Sequence, residues 1–276
     1  MNKALLWLVP LPAICAVIIT TCQVAPLPQS VEPIATTQLR SHINASTQAL
    51  VPNDPSNFNL FDSYSVNECL WARGWVGKLE FTGIAMDQDR TCTLISPRHI
   101  LMAQHYQRGD GAKVTFHDRT GSAIVRLIEK RAELPGGLNP DIAVGLLDLP
   151  VPVPFFRVLP PREDYNVLLS DTLVLATDRE RNLLPRTFAA IDGPHVRLRK
   201  AEAYADVLSQ PLITGDSGNP SFVIVNGEPI LIETHTYGGF GQGPFLSSPE
   251  NYAGINQLMT QVGGGYQLTA IPLIDS

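Results

Sequence analysis

Three short segments constrain this chain more than anything else in it, through the order in which they occur. Leu94-Ile95-Ser96-Pro97-Arg98-His99-Ile100-Leu101-Met102-Ala103-Gln104 is an apolar, strand-like run that leads into His105. Asn139-Pro140-Asp141-Ile142-Ala143-Val144 sets Asp141 at the head of a second apolar run. Thr214-Gly215-Asp216-Ser217-Gly218-Asn219-Pro220 puts Ser217 on a tight glycine-flanked turn. A Gly-Asp-Ser-Gly turn alone says little, because Gly, Asp and Ser are ordinary turn residues. The order His, Asp, Ser says more, since the same three-residue chemistry occurs on unrelated folds in different chain orders. The α/β-hydrolase arrangement needs Gly-x-Ser-x-Gly and a histidine after the nucleophile. Here Asn219 stands two residues after Ser217, and His235 is the only later histidine. That fold is therefore a poor fit.

The rest of the chain agrees with an all-β plan. Strand-like runs separated by turn signals recur over residues 76–84, 91–95, 100–103, 113–117, 123–128 and 142–147. They recur again over 166–169, 172–176, 188–191, 195–199, 220–225 and 230–236. Between the two groups, residues 149–161 hold Pro150, Pro152, Pro154, Pro160 and Pro161, which suits an extended connector better than a central strand. Ile255, Leu258, Met259 and Val262 fall at helical spacing and predict a C-terminal amphipathic helix. With a net charge of −6 and no long Lys/Arg cluster, nucleic acid is not an expected partner.

Residues 1–22 read as an export signal: Lys3, an apolar stretch broken by Pro10 and Pro12, and then Cys22. Ile19-Thr20-Thr21-Cys22 also resembles a bacterial lipoprotein box, which would tether the chain to a membrane through a lipidated Cys22. Residues 23–60, rich in Pro, Ser, Thr, Asn and Gln, read as a partly disordered linker or pro-segment. Cys69 and Cys92 are then the cysteines of the folded body. In an oxidising compartment they are expected to form a disulfide, with two buried thiols as the other reading. No paired Cys or His spacing points to a metal, and nothing calls for a cofactor.

The three segments together resemble the chymotrypsin-like (trypsin-like) serine proteases, in the manner of a divergent bacterial member, over roughly residues 70–265. The resemblance implies two six-stranded antiparallel β-barrels with a C-terminal helix. The first barrel, within residues 61–160, would carry His105 and Asp141, and the second, within 161–276, would carry Ser217. It implies a secreted or periplasmic serine endopeptidase acting on peptide or protein substrates. Ser217 would be the nucleophile, His105 its base and Asp141 the orienting acid, with the Gly215 and Ser217 N–H groups as oxyanion hole. By the same likeness Pro211, Thr214, His235, Thr236, Tyr237 and Gly238 would form the substrate pocket. Pro211 in place of an aspartate argues against cleavage after Lys or Arg, and His235 suggests a bond to a glutamate side chain. The chain departs from the pattern at Gln104, at Tyr106 and at Asn219, which replaces a glycine, and it has no Ile-Val-Gly-Gly start that cleavage would expose. These departures leave two other readings in play, a catalytically inactive binding module and an esterase with the same triad.

Overall fold

A computed structural model describes residues 33–50, 58–204 and 210–275; the expected export signal, with Cys15 and Cys22, lies outside them. Six extended segments form one antiparallel sheet: β1 (Ile84–Ala85), β2 (Cys92–Leu94), β3 (His99–Ala103), β4 (Lys113–His117), β5 (Ala123–Glu133) and β6 (Ile142–Leu147). A second six-stranded sheet comprises β7 (Leu173–Thr177), β8 (Leu183–Asp192), β9 (His195–Lys200), β10 (Pro220–Val225), β11 (Glu228–Thr234) and β12 (Gln242–Pro244). The first runs β1-β2-β3-β6-β5-β4 and the second β11-β10-β7-β8-β9-β12. Counted within each half and read around a ring, the two orders are the same, cut open at different points. The second ring closes where the Leu246 N–H donates to Ile232 O at 3.0 Å and the Thr236 N–H to Gln242 O at 2.9 Å. In the first, the Thr115 N–H of β4 donates to the carboxylate of Asp87, just beyond β1, at 3.2 Å. The double-barrel architecture expected from the sequence is the one observed.

Strands β3 and β6 are buried throughout because both of their faces are covered. Ile100 and Met102 enter the first barrel's interior with Val114, Phe116 and Leu147. Leu101 and Val144 face a separate core in the seam between the barrels. There Phe222 lies 4.7 Å from Phe156 and 5.3 Å from Phe81, ring centre to ring centre. Each such ring contributes on the order of 1.5–3 kcal/mol by leaving water, so the seam binds the two barrels into one unit. A third core, with Val174, Phe188, Val196, Val223 and Ile230, fills the second barrel.

Two expected strands take other forms. Within residues 76–84, Val76–Lys78 is a single 3-10 turn and only Ile84 enters a strand. Val76, Leu79 and Phe81 are buried one by one in the seam, not as one face of a ladder. Residues 166–169 lie largely in a helical turn, Tyr165–Leu168, with the Tyr165 hydroxyl donating to Pro160 O at 2.7 Å. The proline-rich stretch is an extended connector, as expected, and Val151, Val153 and Phe155 pack from it into the first barrel.

Each flanking helix packs on the barrel farther from it in sequence, while Ile271, beyond the second helix, returns to the second barrel's core. Helix α1 (Leu39–Leu50) buries Leu39 and Ile43 against Val174, Val223 and Val225 of the second barrel. Ile34–Ala35 pairs in parallel with Leu273–Ile274. Within residues 23–60, expected as a partly disordered linker or pro-segment, residues 33–50 are thus ordered. Leu39 and Ile43, four residues apart, form a narrow apolar stripe that a polar composition conceals. Helix α2 (Pro249–Val262) starts at Ser248, whose Oγ accepts the Asn251 N–H at 3.3 Å, and ends at Gly263, whose φ of 97° suits glycine. It buries Leu258, Met259 and Val262 against Ala132 and Leu146 of the first barrel.

Cys69 and Cys92 are both free and buried, so the disulfide expectation is corrected. Cys92 sits inside the first barrel among Leu94, Ile100 and Val114. Cys69 pairs with Gly121 through its backbone N–H, outside that interior. Burial, with the charge of Asp118 nearby, pushes the Cys69 thiol up to about 11. Burial does the same to Cys92.

Candidate active site

The ladder between β3 and β6 places the first two candidate residues side by side. Ala103, at the end of β3, pairs with Ile142, at the start of β6. His105 follows the one and Asp141 precedes the other, so antiparallel pairing brings them together across the strand ends. The His105 N–H donates to Asp141 Oδ1 at 2.9 Å, and His105 Nδ1 lies 2.7 Å from Asp141 Oδ2. Asp141 is fully buried and has a φ of 60°, a left-handed conformation that Asp tolerates better than most residues. Two bonds to one carboxylate fix both the backbone and the ring of His105. The imidazole is one-third exposed and stacks on Tyr106, centroids 6.3 Å apart.

Ser217 comes from the second barrel. The Gly218 N–H donates to His235 O at 2.8 Å and the His235 N–H to Asn219 O at 2.9 Å, so residues 218–219 extend the β10–β11 ladder. Ser217 therefore sits at the first step beyond a rigid pair of strands. His105 Nε2 lies 2.9 Å from Ser217 Oγ. Gly215 has a φ of 102°, a conformation reserved for glycine. Among the described residues, neither the Gly215 nor the Ser217 N–H finds an acceptor. Asp216 between them is buried, and its carboxylate accepts the N–H of Arg179 at 2.9 Å and of Ile213 at 2.7 Å. Its charge is thus answered by backbone dipoles of its own barrel.

Beside Ser217 lies a cleft of about 510 Å³ lined by His105, Ser217, Leu212, Ile213, Thr214, Asp216, His235, Thr236, Tyr237 and Gly238. Ile213 and Tyr237 keep more than a third of their surface exposed here. The Leu212 N–H donates to Gly239 O at 2.6 Å and ties the two walls together. Thr214, Thr236, Tyr237 and Gly238, which the resemblance marks for a substrate pocket, all line this cleft. Pro211 does not: it is exposed outside the lining, and Leu212 takes its place.

His235 borders the cleft but turns its ring nitrogens inward. Nε2 lies 3.0 Å from Thr177 O, and Nδ1 lies 2.7 Å from Glu233 Oε1, on a carboxylate that is itself fully buried. Burial alone disfavours the imidazolium. The Glu233 carboxylate outweighs it, and the His235 pKa rises above its ordinary 6.5. With both nitrogens engaged, the expected bond from His235 to a glutamate side chain is not available.

Three residues that sequence reasoning gave no role shape the site. Glu233 is the first. Arg186, on β8, is the second. It is fully buried, donates to Gln210 O at 2.6 Å and Phe240 O at 3.2 Å, and so braces loops on both sides of the cleft. Burial lowers its pKa to about 10. Gln104, known only as a departure, is the third. With its amide nitrogen turned toward two carbonyls, it donates to Gly137 O at 2.8 Å and Leu134 O at 3.0 Å. It thereby holds the loop that delivers Asp141. A charge set inside a strand, or a long polar side chain beside a candidate histidine, was the only signal of these three. Among the described residues, no cluster of His, Cys, Asp and Glu is arranged to hold a metal ion.

No protein-family model matches the chain, and no curated protein matches it either. Among solved structures it is similar to human heparin binding protein, at 14% identity and a TM-score of 0.48, over 64% of this chain and 88% of that one. A point mutant of that protein gives 15% identity and a TM-score of 0.48, over 67% and 94% of the two chains. A double mutant gives 14% and 0.49, over 67% and 95%.

Proposed function

We propose that the chain is a serine endopeptidase that hydrolyses peptide bonds through an acyl-enzyme. One observation carries the proposal: a continuous line of contacts from buried Asp141 through His105 to Ser217, at 2.7 Å and 2.9 Å, opening on a cleft. A serine hydroxyl becomes a competent nucleophile when a base takes its proton, and the base works best when a third group fixes its ring. Ser217 Oγ attacks the substrate carbonyl carbon while His105 takes the Oγ proton. The carbonyl oxygen becomes an oxyanion and accepts from the Gly215 and Ser217 N–H groups, each such donor being typically worth about 3 kcal/mol. His105 then gives its proton to the leaving amine as the C–N bond breaks. Water, deprotonated by His105, attacks the resulting ester, and Ser217 leaves with the proton returned. The cleft walls, Ile213 and Tyr237 with His235 turned inward, favour an uncharged side chain before the scissile bond. The sequence adds export to this reading, to the periplasm, the extracellular space or, through Cys22, a lipid-anchored outer surface.

The test is labelling of the purified protein with a fluorophosphonate, which forms a bond to an activated serine, followed by cleavage of a peptide panel. Wild type should label and cleave, and Ser217→Ala and His105→Ala should do neither while keeping their fold. Folded wild type that stays unlabelled would refute the peptidase and favour a binding module. Labelling with hydrolysis of small esters but no peptide would favour the esterase.

A further inference from the structure

Asn219, where the resemblance calls for glycine, is fully buried and makes contacts that glycine cannot. Its Oδ1 accepts the hydroxyl of Thr91 at 2.8 Å, and its Nδ2 donates to Asp216 O at 3.1 Å. Thr91 precedes β2 in the first barrel, while Asn219 lies two residues after Ser217 in the second. The bond crosses the seam at the candidate active site. A second observation places the same two surfaces in contact. A side chain added at Gly218 would lie 3.4 Å from Thr91 O and 3.5 Å from the backbone nitrogen of Ala103, two residues before His105. The nucleophile loop therefore rests on the strand end that carries the base.

We propose that Asn219, through Thr91, is a positioning residue that sets the separation of Ser217 and His105 across the seam; the inference rests on the peptidase reading above. The two groups stand on different barrels, so their 2.9 Å approach depends on how one barrel sits against the other. The seam core is apolar, and apolar attraction is non-directional, so it holds the barrels together without fixing their register to tenths of an ångström. A buried hydrogen bond is directional and does fix it. Two further bonds cross between the barrels, from Arg181 to Met86 O at 3.1 Å and between His195 Nε2 and Leu138 O at 3.2 Å, but neither touches a residue next to Ser217. Asn219 is joined at its amide to Asp216, at its backbone to His235 and at its carbonyl oxygen Oδ1 to the first barrel. It thus links the oxyanion turn, the β10–β11 ladder and the base-bearing barrel in one residue. A slip of about 1 Å between donor and base typically lowers a rate on the order of 100-fold.

The experiment measures kcat and KM on a cleaved peptide, with the fluorophosphonate labelling rate, for wild type, Thr91→Val and Thr91→Ser, with thermal melting to verify folding. Valine keeps the shape of threonine and removes the donor; serine restores it. Thr91→Val should lower kcat and the labelling rate about tenfold or more with KM within about twofold of wild type, and Thr91→Ser should recover most of the loss. A role in folding alone would lower the melting point and leave kcat of the folded fraction unchanged. If Thr91→Val does not fold, Asn219→Gly, which removes the amide without leaving its carbonyl unpaired, takes its place with the same expectation. Labelled wild type with kcat held within twofold in the folded variant would overturn the positioning role alone. Unlabelled wild type would overturn the peptidase reading, and this inference with it.

Discussion

Truncating Ile43 to alanine should weaken the whole fold and leave the chemistry alone. Ile43 is fully buried where α1 meets the second barrel, in the cluster that holds Leu39, Val174, Val223 and Val225. Removing a buried isoleucine to alanine costs about 2–5 kcal/mol, from reduced burial and the cavity left behind. For a domain of this size each kcal/mol moves the melting point by about 2–4 °C. A middle value of about 3 kcal/mol therefore lowers Tm by about 6–12 °C. Leu39→Ala should behave alike, and the double variant should cost less than the sum because the two share partners. Ser46 Oγ of α1 accepts the Asn226 N–H, on the turn at the far end of β10 from Ser217. The labelling rate at 20 °C should therefore stay within about twofold of wild type, since the truncated side chain is remote from the seam. Scanning calorimetry and fluorophosphonate labelling on the same preparations test both halves. A Tm within about 2 °C of wild type would refute the packing argument. Faster labelling would refute the integral role of α1 and favour the pro-segment reading of residues 23–60.

Other consequences can be measured more simply. The raised pKa of His235 means that folding takes up a proton there, so its contribution to stability is complete below the ordinary value of 6.5 and lost as pH rises through the folded value. Glu233→Gln, which removes the carboxylate that holds the proton, should show its largest stability deficit below that value. The deficit should shrink above it in denaturant titrations, and one growing steadily with pH would contradict the assignment. Cys69 and Cys92, buried and with raised pKa values, should resist iodoacetamide until the protein unfolds, and reductant should leave Tm unchanged; peptide mapping showing a Cys69–Cys92 crosslink would refute this. Gly243→Ala would set a methyl 1.9 Å from Thr234 O and 2.4 Å from Glu233 Oε2, so little folded protein should be recovered, and normal yield with an unchanged Tm would show that β12 gives way easily.

The parts of the site legible in the sequence are those whose chemistry is written locally. His105, Asp141 and Ser217 each stand beside a run that strand periodicity reveals, and their order points to the architecture. What escapes depends on partners distant in the chain. Glu233 reads like one more surface acid, yet it is fully buried against His235, and only the closing of the second barrel shows it. Compartment logic pairs the cysteines, whereas actual pairing depends on which side of a strand each thiol faces. Helix α1 is hidden by its composition, since Leu39 and Ile43 need only a narrow stripe to dock. Asn219 reads like a flaw in a motif because its partner, Thr91, lies more than a hundred residues away.

The crossed helices have a mechanical consequence. With α1 clasped to the second barrel and α2 to the first, each barrel is laced to a helix from the other side of the sequence. Swinging the barrels apart like a hinge would strain the buried stripes by which these helices are seated. In the peptidase proposed above, a substrate would then find its yielding surface at the rim of the cleft: the turns around Ile213 and Tyr237, which stand in solvent already.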